Sequence, residues 1–121
     1  MTMKYMIMMF GEAAGMMETE PPAWIKEMIG FMVQIDKDLR DSGELVFQAG
    51  LTDGSTAKLV RLENGVPVAT DGPFAESKES LIGYWVVDVE SETRAIEIAS
   101  QIVTYAGVVE LRRLGDGPPE V

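Results

Sequence analysis

Nine consecutive residues, Asp71-Gly72-Pro73-Phe74-Ala75-Glu76-Ser77-Lys78-Glu79, gather side chains that could move a proton. They hold three carboxylates and one amine. The chain has no histidine and no cysteine, so acid–base or nucleophilic chemistry would have to run through groups of this kind. If the segment forms a helical turn, the i, i+3 spacing sets Glu76 and Glu79 on one side. Asp71 or Glu76 would then act as base, with Lys78 or Arg112 steadying developing negative charge. Such a base needs a raised pKa, which takes desolvation or a like-charged neighbour. The same residues are also good turn chemistry. Pro73 fixes its own φ, Gly72 tolerates unusual dihedrals before it, and the Asp71 carboxylate can accept from backbone N–H groups a few residues on. Phe74 would tuck into the core, and the remaining charges would be a solvated edge. Both readings stay open from the residues alone.

Ligand-binding candidates outside the acid–base set are Trp24, Phe74, Glu79, Tyr84 and Arg112. All nine methionines fall within the first 32 residues. Thioethers adapt to irregular shapes and suit a flexible apolar ligand, although strand and helix spacing more often signals a core. Arg61 and Lys58 are read as sharing one face of a hairpin, where they meet a carboxylate ligand or guard an open edge. No metal site is expected, since His and Cys are missing and no calcium-loop spacing appears. No cofactor is expected either: Gly50, Gly54 and Gly65 do not precede a helix as a phosphate loop would. With 20 acidic against 10 basic residues the net charge is -10, a field that repels nucleic acid. No apolar run approaches the length of a membrane span. The apolar stretch from Tyr5 to Phe10 lacks the flanks of a signal peptide, so the cytoplasm is the default location.

The elements that must position these groups follow from periodicity. The length of 121 residues and an apolar share of 46% fit one domain, residues 1–121, with a real core. Met3 to Phe10 reads as a strand. Pro21 and Pro22 open a helix, with Thr19 or Glu20 as N-cap. Its stripe runs through Trp24, Met28, Phe31, Met32, Ile35 and Leu39, widened by Ile25 and Ile29. Gly43 suits the left-handed residue that ends it. Glu44 to Leu51 is a second strand. Asn64-Gly65 marks a hairpin between Lys58 to Leu62 and Val66 to Thr70, because both turn positions need positive φ. Ile82 to Val89 is a strand, Ser91 caps a second helix through Ala95, Ala99, Ile102, Val103 and Ala106, and Val108 to Leu114 is the last strand. The order predicts an α+β fold, a ferredoxin-like sandwich with an added β-hairpin.

Two strands are apolar on both sides. Met6, Met8 and Phe10 alternate with Tyr5, Ile7 and Met9; Ile82, Tyr84 and Val86 alternate with Trp85, Val87 and Val89. A sheet with one wet face should alternate apolar with polar. Two helices can cover one face only, so the pattern predicts a homodimer packed sheet to sheet.

The segment Asp71 to Glu79 resembles the signature of the YCII-related family, in its DGPF-motif branch. Pro22-Ala23-Trp24-Ile25, Ser42-Gly43-Glu44-Leu45 and Ile82-Gly83-Tyr84-Trp85 are similar to the surrounding pattern, and the likeness spans about residues 3 to 114. It implies a ferredoxin-like fold assembled as a dimeric α/β barrel. Some relatives look like small enzymes acting on ring compounds, and in one branch a helix-one His and an Asp are proposed as an acid/base pair. This chain lacks that His. The DGPF branch is often found beside sigma factors, which implies a regulatory setting. Arg112 matches a position usually basic in the last strand, and Arg113 stands where a proline is common. The expected function is therefore a homodimeric module binding a small organic ligand or a regulatory partner in a cleft between sheet faces. The alternative is a small cofactor-free enzyme of lyase, isomerase or hydrolase type using Asp71, Glu76 and Lys78.

Overall fold

A four-stranded antiparallel sheet carries two helices on one face. The computed structural model describes residues 1–11, 19–72 and 80–117. Its elements are β1 (Met3–Gly11), α1 (Pro22–Ser42), β2 (Leu45–Gly50), a short 3-10 turn (Gly54–Thr56), β3 (Lys58–Glu63), β4 (Val66–Asp71), β5 (Ser80–Val89), α2 (Glu92–Ala106) and β6 (Val109–Arg113). The main sheet runs β2-β5-β1-β6, and β3 and β4 form a separate two-stranded sheet. Every pairing is antiparallel. Two helical crossovers on one layer with this strand order are compatible with a ferredoxin-like sandwich.

Local chemistry explains most boundaries. Pro22 opens α1 at a position whose N–H would be unpaired in any case. The N-cap is Pro21, with no side-chain cap, so neither Thr19 nor Glu20 takes the role expected from their residue types. At the other end Gly43 adopts φ 78°, and its N–H bonds the carbonyl of Arg40. Ser91 Oγ accepts from the Arg94 N–H and caps α2. Asn64 and Gly65 both have positive φ, as the two-residue hairpin between β3 and β4 demands.

The core lies between the helices and one sheet face. Tyr5, Ile7, Trp85, Val87 and Val89 point down from the strands onto Ile35 and Leu39 of α1 and Ala95, Ile98, Ala99 and Ile102 of α2. The α1 stripe is narrower than its periodicity suggests. Ile29 is 49% exposed, because only one side of the cylinder meets the sheet. A polar tie crosses the layer where the Trp85 indole N–H donates to Asp36 Oδ1 at 2.9 Å. The antiparallel helices close on each other through Tyr105, edge-on to Trp24 at 5.4 Å and tilted on Phe31 at 5.1 Å.

One ion pair staples the start of β2 to α2. Arg94 Nε donates to Glu44 Oε2 and its Nη2 to Oε1, both at 2.8 Å, while Ser42 Oγ donates to Oε1 at 2.8 Å. Those hydrogen bonds, Arg94's foremost, hold the Glu44 carboxyl below its ordinary value of 4.5 despite partial burial. Arg94 is pushed the other way, chiefly by the Glu44 bond, and stays protonated throughout the working range. Glu44's depressed value means that its contribution is present above about pH 4.5 and is lost as pH falls through the folded-state value. Arg94→Met should lower stability at neutral pH by about 1–2 kcal/mol, since the pair is bidentate but partly solvated. Denaturant titrations at several pH values should show the gap to wild type shrinking below pH 4.5. A gap that stays constant down to strong acid would contradict this role for Glu44.

Candidate functional site

The register of the strands builds a second apolar surface on the side of the sheet away from the helices. Directly opposed residues in an antiparallel pair share a face. One row runs Arg112, Met6, Val86 and Phe47; the next runs Glu110, Met8, Tyr84 and Ala49. Lys4 opposite Asp88 closes the surface toward one end. The centre is apolar and the rim is charged. Met6, Met8, Tyr84 and Val86 are half-buried at the centre of these rows, and Phe47 is 54% exposed. Phe47 leans on Tyr84, with ring centroids 6.1 Å apart. The alternation breaks at Asp88, so the apolar field ends there rather than running the length of β5.

The expected ligand-binding residues divide between two layers. Tyr84 lies on the helix-free face, and Arg112 stands at its rim opposite Met6, 3.5 Å from Glu110 Oε2. Trp24 does not join them. It lies in the helix layer, where its ring is taken up by Tyr105. Among the acid–base candidates, Asp71 ends β4 with its side chain 89% exposed and paired with Lys58 Nζ at 2.5 Å. A catalytic base is ordinarily desolvated or set beside a like charge; Asp71 is solvated and set beside a cation. Gly72 donates its N–H to the Ala57 carbonyl at 2.8 Å, and a Cβ there would stand 3.2 Å from Leu59 Cγ. Phe74, Glu76, Lys78 and Glu79 lie outside the described residues. Lys58 and Arg61 fall on opposite faces of the hairpin rather than sharing one, because they are three residues apart in a structure of period two.

Phe47 was not legible as part of this surface. A bulge between Leu45 and Phe47 shifts the register against β5, so Leu45 faces the helices and Phe47 faces away without the usual alternation. The Glu44–Arg94 staple was equally hidden, since its partners lie 50 residues apart. A hollow of about 550 Å³ opens beside that staple, lined by Ser42, Glu44, Asp88, Ser91, Arg94 and Glu97 among others. Its one cation, Arg94, is already committed to Glu44 and Glu97, which leaves the hollow predominantly acidic.

The sequence matches the model of the YCII-related domain over residues 3–116. The chain belongs to the YCII-related family. The match extends from β1 to just beyond β6, so it takes in the whole sheet and both helices. This YCII-related chain is also similar to an uncharacterized protein of Rhizobium meliloti (strain 1021), at 29% identity over 89 residues, covering 70% of this chain and 72% of that protein.

An exposed ion pair contributes little to folding. Asp71→Asn should therefore change the free energy of unfolding by less than about 1 kcal/mol, as read from denaturant midpoints at constant slope. A loss of several kcal/mol would show that Asp71 has buried partners and is not the solvated end of a hairpin.

Proposed function

We propose that this YCII-related protein is a homodimeric binding module of the DGPF-motif branch. Two copies pair their helix-free sheet faces, and the space between the sheets holds a small, largely apolar organic ligand. The reading is carried by the two in-register rows centred on Met6, Met8, Tyr84 and Val86, which the protein's own helices leave uncovered. Water in contact with such a field is costly, at roughly 25 cal/mol for each Å² of apolar surface left unburied. Methionine supplies an adaptable wall and Tyr84 a flat one with a polar tip. Arg112 at the rim is the side chain best set to meet an acidic group on the ligand. The solvated state of Asp71 and its pairing with Lys58 favour binding over carboxylate-based catalysis.

Isologous pairing enters every interface substitution twice, once from each copy. Wild type should sediment as a dimer at micromolar concentration, and Met6→Glu should sediment as a folded monomer, because it sets two carboxylates in an apolar interface already burdened by a net charge of -10. A monomeric wild type would refute the pairing. For the ligand, thermal unfolding against a panel of small organic acids should show at least one compound raising the midpoint by several degrees at saturation. Arg112→Ala should weaken that effect for the acid but not for its neutral analogue; an equal loss for both would remove Arg112 from the site.

A further inference from the structure

Among the described residues, the β3–β4 hairpin forms a sheet of its own with no third strand. A two-stranded ribbon on its own is marginal at best in water, and needs a third strand or a packing surface. None of the paired residues of β3 and β4 is fully buried. On one face Val60 is 71% exposed and Leu62 73% exposed, with Ala69 and Pro67 as their cross-strand partners. That is a continuous apolar strip turned to solvent, on a ribbon held at its base by the Gly72 to Ala57 hydrogen bond. We propose that this strip is covered by a second copy of the chain, so that each subunit of the dimer reaches across and clasps the other with its hairpin.

Two observations select a second copy over other occupants. The first is charge. The chain as a whole carries 20 acidic and 10 basic residues, yet the hairpin strands are balanced, with Lys58 and Arg61 against Glu63 and Asp71. The helix-free sheet face is balanced as well, with Lys4 and Arg112 against Asp88 and Glu110. A basic partner would be drawn to the acidic surfaces instead, whereas two copies at a net charge of -10 can approach only through neutral ones. The second is size. A stable interface takes roughly 20–30 residues from each side. The two rows of the sheet face with Lys4 and Asp88 supply ten, four per row plus two. The sheet face alone falls short, and Val60 and Leu62 of the hairpin are, after Met1, the most exposed large hydrophobics among the described residues, so the hairpin is apolar surface suited to enlarge it. The inference rests on the sheet-to-sheet dimer proposed above and adds a second, exchanged contact to it.

The test uses the full chain. Val60→Lys combined with Leu62→Glu leaves net charge unchanged and alters two solvent-facing positions of the isolated subunit, so the fold is spared. Sedimentation equilibrium should show the dimer dissociation constant raised at least tenfold over wild type. In a second measurement, Leu62→Cys, the sole thiol in a chain without cysteine, is labelled with a photocrosslinker in dimers mixed from light and nitrogen-15 subunits. Cross-linked peptides joining a light to a heavy chain are the expected result. A wild-type dimer whose affinity ignores the double substitution, with cross-links confined to one isotope, would overturn the clasp while leaving sheet pairing intact. A monomeric wild type would overturn both.

Discussion

The second face of the β2-β5-β1-β6 sheet is a constraint on everything else in this protein. A helix pair covers one side of a four-stranded sheet and has no reach to the other. Tyr5, Ile7, Trp85, Val87 and Val89 consume that cover and become the core. The residues alternating with them, Met6, Met8, Tyr84 and Val86, point away from the helices and are flanked on the sheet by Phe47, Ala49, Glu110 and Arg112. In a sheet meant to face water these positions would be Thr, Lys or Glu. Their apolar character leaves an exposed apolar face on the subunit, and the hairpin adds Val60 and Leu62, which are 71% and 73% exposed.

Charge limits which surfaces of two copies can meet. A net charge of -10 keeps copies apart except where charge is locally balanced. The sheet face and the hairpin are two regions where charge is balanced, and both expose apolar side chains. By contrast, the hollow beside Arg94 keeps a surplus of carboxylates, and its guanidinium is tied up in the structural pair with Glu44. The partly buried polar contacts Glu44–Arg94 and Asp36–Trp85 lie away from the exposed apolar field.

Much of the fold could be read from local signals. Asn64-Gly65 gave the hairpin, Ser91 the start of α2, Gly43 the end of α1, and the doubled apolar pattern of β1 and β5 the unsatisfied face. Each of these is a short-range rule in which one residue type meets one backbone need. What sequence could not supply was long-range or register-dependent. The bulge that turns Phe47 outward depends on pairing with β5, and Trp24's place in the helix layer depends on Tyr105 from the opposite end of the chain. The start of α1 departs from the expectation of a Thr19 or Glu20 cap because the proline pair already sets the first turn without one. Of the proposed site residues, Tyr84 and Arg112 share the helix-free face, Asp71 is solvated at the hairpin's end, and the Phe74 to Glu79 segment lies beyond the described residues.

Methionine oxidation reads the central claim most directly, because Met6 and Met8 sit on the contested face while Met1 is fully exposed and serves as an internal standard. Peroxide footprinting at micromolar protein, followed by peptide mass spectrometry, compares wild type with a folded Val86→Glu variant. If a second copy covers the sheet, Met6 and Met8 oxidise several-fold more slowly in wild type than in the variant, and Met1 oxidises equally in both. Equal rates for Met6 and Met8 in the two proteins would mean that the face stands open to water, and the account would fail.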